Sequence, residues 1–71
     1  MKATLFARNK HSELWERGGE LYRVAIGSPK DGDGTPQGMR WECSVSHYEY
    51  FADVMEDHYG YERLAGHPVK A

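Results

Sequence analysis

With 71 residues and a net charge of −2, the chain has room for one domain, residues 1–71. Near that size a single core contributes only about 3–5 kcal/mol of net stability, which argues against a deep catalytic pocket. Eleven Leu, Ile, Val and Phe are few, but two Trp and five Tyr add apolar surface and the low net charge does not fit a disordered chain, so the expectation is a folded domain with an aromatic core.

Ala3 to Arg8 alternates weakly and reads as a first strand. Ser12 to Arg17 has two open readings, a strand or a helical turn stopped by Gly18-Gly19. If the glycines close a two-residue hairpin, Trp15 falls opposite Tyr22, a favourable aromatic pair. Leu21 to Ile26 carries the β-branched and aromatic alternation of a strand. Residues 27–38 are rich in Gly, Pro and Asp and read as a flexible loop. Met39 to Val45 alternates again, with Trp41, Cys43 and Val45 expected on the core face. Ser46 and Glu49 have capping-box spacing, which predicts a helix from His47 to about Tyr59, stopped by Gly60. Tyr61 to Leu64 is a possible edge strand, and residues 65–71 are a tail. The predicted fold is α+β, a three-stranded, or with one more element four-stranded, antiparallel sheet with one C-terminal helix packed across it.

Three patterns bear on chemistry. Counting Asp31 as the first position of a calcium loop places Asp33, Thr35, Gln37 and Glu42 at ligand positions. The glycine needed at the sharp turn is replaced by Pro36, however, and Glu42 falls in a predicted strand, so a turn is expected. Zinc would need four converging ligands from Cys43, His47, His58 and His67. A straight helix would hold His47 and His58 roughly 16 Å apart, which precludes their sharing one ion. Cys43 and His47 straddle a strand-to-helix junction where a thiolate is favoured, but an inward-facing thiol has no substrate pocket beside it. No metal, no cofactor and no catalytic residue is expected. The single cysteine excludes an internal disulfide, and the absence of a long apolar run leads to the expectation of a cytoplasmic protein off the membrane.

Charge is unevenly distributed. Residues 1–30 carry six basic and three acidic side chains, net +3, whereas residues 31–71 carry three basic and eight acidic, net −5, together giving the chain's −2. On a helical wheel Glu49, Asp53, Glu56 and Asp57 share roughly 100° of arc, with Tyr50 at its edge, and Tyr48, Phe51, Ala52, Met55 and Tyr59 take the opposite, packed side. The pairs Glu49/Asp53 and Asp53/Asp57 repel at i,i+4, and no Lys or Arg lies between Ser46 and Glu62 to offset them. A face of that kind suits a basic partner surface. The expectation is a non-enzymatic binding protein, a small inhibitor or adaptor of the kind carried by phages and mobile elements, anti-CRISPR-like or otherwise counter-defensive. Its partner would be a protein with a basic, nucleic-acid-handling surface, met through Glu49, Tyr50, Asp53, Glu56 and Asp57. The alternative is a single-stranded nucleic-acid module that uses Arg8, Lys10, Trp15, Arg17 and Arg23, where bases stack on aromatics and cations track phosphates. Glu13, Glu16 and Glu20 in the same segment oppose it.

Overall fold

The computed structural model of the chain describes residues 2–64, so His67 and the expected tail lie outside the described residues. Five strands form one antiparallel sheet in the order β4-β3-β2-β1-β5: β1 (Thr4–Arg8), β2 (Ser12–Arg17), β3 (Glu20–Ala25), β4 (Arg40–Ser44) and β5 (Glu62–Arg63). The α+β class is as predicted. The strand count is higher than expected, because Ser12–Arg17 and Glu62–Arg63 both pair as strands.

Gly18 and Gly19 both have positive φ, 62° and 82°, the backbone that a two-residue hairpin turn requires. This turn sets the β2–β3 register and places Trp15 opposite Tyr22. Two bulges then decide which side chains are buried. In β1 the register passes from Leu5↔Trp15 to Ala7↔Leu14, so Phe6 is the extra residue and both Phe6 and Ala7 join the core. In β4 it passes from Cys43↔Leu21 to Trp41↔Tyr22, so Glu42 is the extra residue. Trp41 is thereby carried to the face opposite Cys43 and is 62% exposed, which corrects the expectation of one shared core face for Trp41, Cys43 and Val45. Cys43 is buried and Val45 is partly buried against the core.

The helix starts two residues earlier than the capping box predicts. Ser44 is the N-cap, its Oγ accepting the His47 N–H at 3.0 Å, and α1 runs Val45–Tyr50. The Val45 N–H is fixed by the carbonyl of Gly19 at 2.9 Å, which ties the helix start to the hairpin turn. α1 ends at Phe51, and the chain rewinds as a π segment, Val54–His58, with an i→i+5 bond from the Tyr59 N–H to the Val54 carbonyl. The single helix expected from His47 to Tyr59 is therefore two differently wound pieces. Gly60, at φ 75°, ends the second piece where the sequence places the stop.

The core is Phe6, Ala7, Leu14, Leu21, Cys43, Tyr48, Met55 and Tyr61, with Phe6 and Tyr48 edge to face at 5.0 Å. Its aromatic part is thus Phe6, Tyr48 and Tyr61, and both tryptophans lie outside it. Asn9 joins the β1–β2 turn to the end of the π segment: its Oδ1 accepts the N–H groups of His11 and Ser12, and its Nδ2 donates to the Tyr59 carbonyl at 2.9 Å.

Residues 27–38 have bonded structure of their own. Lys30 bridges Pro36, and the Asp31 N–H donates to the Thr35 carbonyl at 2.8 Å. Thr35 is buried, and its Oγ1 accepts the Ala3 N–H at 3.2 Å, anchoring the loop to the start of β1. Because that buried N–H would otherwise lose its partner, Thr35→Val is expected to cost about 1–3 kcal/mol while Thr35→Ser costs distinctly less. Urea denaturation of the two variants checks this ranking.

Candidate functional site: the outer helical face

Arg63 on β5 organises the acidic row. Its side chain is only 6% exposed, with Nη2 3.3 Å from Glu56 Oε2 and Nη1 3.8 Å from Glu49 Oε2. The guanidinium lies over the Tyr48 ring at 5.1 Å and the Phe6 ring at 5.8 Å. Tyr48 also donates its hydroxyl to Glu56 Oε2 at 3.0 Å. Burial, followed by this bond to Glu56, pushes the Tyr48 phenol well above its ordinary range, so the hydroxyl stays protonated and a donor. The acidic face is therefore partly compensated, by a cation one residue past Glu62, and the row divides in two. Glu49 and Glu56 turn toward Arg63 and are half-buried, whereas Asp53 and Asp57 are exposed and have no ion pair among the described residues.

The side expected to pack divides as well. Tyr48 and Met55 are buried and Ala52 is partly so, but Phe51 and Tyr59 are exposed. For Tyr59 the reason is the π winding of Val54–His58, which takes it out of phase with a 3.6-residue wheel, whereas Phe51 still donates its N–H to the His47 carbonyl and ends α1 in phase. The outer surface carries Tyr50, 77% exposed, and the exposed Phe51 and Val54. Tyr50 and Phe51 stack edge to face at 4.8 Å, and the His47 ring lies 4.7 Å from Phe51. Of the five sequence-predicted residues, Tyr50, Asp53 and Asp57 are exposed, Asp57 at a groove it lines with Lys10, His11 and Tyr59, whereas Glu49 and Glu56 serve Arg63. Phe51 was not legible as a surface residue, because the wheel places it with Tyr48 and Met55 on the side expected to pack, whereas Val54 falls outside that side, next to Tyr50.

The basic candidates are dispersed. Arg8, Trp15 and Arg17 occupy one sheet face by register, Arg23 the other, and Lys10 the exposed β1–β2 turn. The first face carries a cross-strand row, Trp15, Tyr22 and Trp41, with Arg17 over Tyr22 at 5.0 Å and Lys30 over Trp15 at 5.7 Å. Carboxylates are built into this row: Glu13 accepts the Trp15 indole N–H at 3.0 Å, and Glu20 that of Trp41 at 2.7 Å. Arg23 is paired with Glu42 at 3.5 Å.

The calcium-like positions have other partners. Asp33 Oδ1 accepts the Thr35 N–H, and this bond, with one from the Thr35 side chain, holds the Asp33 carboxyl below its usual range. Asp31 Oδ1 accepts from Gln37 Nε2, the Thr35 hydroxyl faces Ala3, and Glu42 faces Arg23. Among the described residues no three His, Cys, Asp or Glu side chains gather as a metal site. No helix among them is long and apolar enough to cross a membrane.

Burial, then the charges of Glu42 and Glu20, pushes the Cys43 thiol above its ordinary value, and the His47 ring lies against Phe51. The junction thus disfavours a thiolate. Cys43 is expected to react with a thiol reagent at least about tenfold faster in denaturant than in the native protein. Timed labelling followed by mass spectrometry reads this directly, and comparably fast native labelling would contradict it. No protein-family description, curated protein or solved structure matches the chain, so the site rests on its own geometry.

Proposed function

We propose that the chain is a non-enzymatic, cytoplasmic binding protein that docks its outer helical face on a basic, nucleic-acid-handling surface of a partner protein. It would act as a compact inhibitor or adaptor of the anti-CRISPR-like, phage- or mobile-element-encoded kind. The observation that carries this reading is the composition of the surface left over once Arg63 has taken Glu49 and Glu56. Tyr50, Phe51 and Val54 are exposed apolar side chains, and Asp53 and Asp57 of the same helical stretch are exposed carboxylates with no ion pair among the described residues. Interfaces concentrate their energy in such aromatic anchors, and flanking charges mainly set encounter rate and partner choice. Val54 and Asp57 belong to the π segment, a form found frequently at functional sites.

The second reading, a single-stranded nucleic-acid surface, is supported by the row Trp15, Tyr22 and Trp41 with Arg17 and Lys30 above it. It ranks lower because Glu13 and Glu20 hold the indole N–H groups and put carboxylates where phosphates would run.

Affinity capture from host extract with matched variants separates the two. Tyr50→Ala is expected to weaken a partner retained by the wild type by roughly 30-fold, the loss of one anchor of about 2 kcal/mol. Asp53→Lys should slow association and flatten its salt dependence, and Arg17→Glu should leave retention unchanged. Retention that survives Tyr50→Ala with Asp53→Lys, together with salt-sensitive oligonucleotide binding lost in Arg17→Glu, would overturn the proposal in favour of the second reading.

A further inference from the structure

At one corner of the sheet His11, Ser12, Arg23, Gly38 and Arg40 line a cleft of about 320 Å3. Arg23 and Arg40 are register partners on neighbouring strands, so both guanidinium-bearing side chains leave the sheet on the same face. Like charges placed directly opposite in an antiparallel pair are destabilising. The fold supplies one carboxylate for the two, Glu42 of the β4 bulge, and it goes to Arg23 at 3.5 Å. Arg40 has no anionic partner among the described residues. The opposite wall is held in place beforehand, because Asn9 Oδ1 fixes the His11 N–H at 2.9 Å and the Ser12 N–H at 2.8 Å. The His11 imidazole carries a hydrogen-bond donor in either protonation state.

We infer that this cleft binds a phosphate group, with Arg40 and Arg23 as its cationic donors and His11 as a third donor from the facing turn. A guanidinium offers paired N–H groups that match two oxygens of a tetrahedral anion, and a dianion would offset the repulsion between the two arginines. The cleft lies at the lower end of small-ligand volumes and leaves space beyond the phosphate for a small organic portion. Free phosphate and a phosphomonoester share this chemistry. The site is separate from the outer helical face and does not depend on the binding role proposed for it.

The test is a titration of 15N-labelled protein with inorganic phosphate and, in parallel, with a nucleoside 5′-monophosphate, each against sodium chloride at equal ionic strength. Saturable shifts confined to the amides of His11, Arg23, Gly38 and Arg40, absent with chloride, are the expected result. Tighter binding of the nucleotide would support a phosphomonoester as the ligand, and equal affinity would support the phosphate group alone. Arg40→Gln should weaken binding about tenfold or more and, with no phosphate present, should not lower the melting temperature, because it removes a like-charge pair. Arg23→Gln should weaken binding as well, and Tyr50→Ala should leave the titration unchanged. Shifts that fail to saturate, that appear equally in chloride, or that persist undiminished in both arginine variants would overturn the inference.

Discussion

A buried guanidinium needs compensation, and the compensation found for Arg63 ties the last strand to both helical pieces. Removing an arginine from water costs several kcal/mol unless charge and hydrogen bonds are restored in place. Here Glu49 comes from α1, Glu56 from the π segment, and the Tyr48 and Phe6 rings close the cavity around the charge. β5 has only two residues and pairs with β1 through Ala7 and Arg8, too short a ladder to be secure alone. One side chain thus fastens the sheet edge, the helix and the rewound turn to each other. It also sorts the acidic residues: those that reach Arg63 become structural, and Asp53 and Asp57 remain at the surface.

Two extra residues, Phe6 and Glu42, have comparable reach. Each is a single insertion into a strand, yet each changes the face on which its neighbours lie. Phe6 gains a place in the core beside Ala7, and Trp41 is carried out of it to lie beside Tyr22. The small core is therefore richer in aromatic contact on the helix side, and the far face acquires its own aromatic row. The arginine pair at the other end of the β3–β4 ladder follows from the same shift, since Arg23 pairs with Arg40 only after Glu42 has been set aside.

Local chemistry explains which parts of this were legible in the sequence. The Gly18-Gly19 turn was readable because few residues other than glycine take two successive positive φ angles, and the Trp15–Tyr22 pairing followed from it. Gly60, at φ 75°, was readable for the same reason. The bulges were not, because Trp41, Cys43 and Val45 alternate as a regular strand would and nothing local marks Glu42 as extra. The capping box failed because tertiary contacts prevailed over it: Val45 is drawn to the core and to the Gly19 carbonyl, Ser44 takes the cap, and the Glu49 carboxylate goes to Arg63. Of the exposed residues, Tyr50 and Asp53, which precede the π segment, could be found from the helical wheel. Phe51 could not, since the wheel groups it with the buried Tyr48 and Met55, and the exposure of Tyr59 could not, since the π winding before it has no local signature. Arg63 was visible as the first cation after the acidic run, but its partners lie seven and fourteen residues back, beyond the reach of a helical wheel.

The arrangement around Arg63 implies that its charge, and not merely its bulk, holds the helix to the sheet. Equilibrium unfolding of Arg63→Met alone and combined with Glu49→Gln and Glu56→Gln tests it most directly. Arg63→Met alone is expected to lose about 2–3 kcal/mol, somewhat less than a fully buried pair would because both glutamates keep some contact with water. The triple variant should recover much of that loss, since no unpaired carboxylate remains beside the substituted side chain. A single variant within about 0.5 kcal/mol of the wild type, or a triple variant no more stable than the single one, would contradict it.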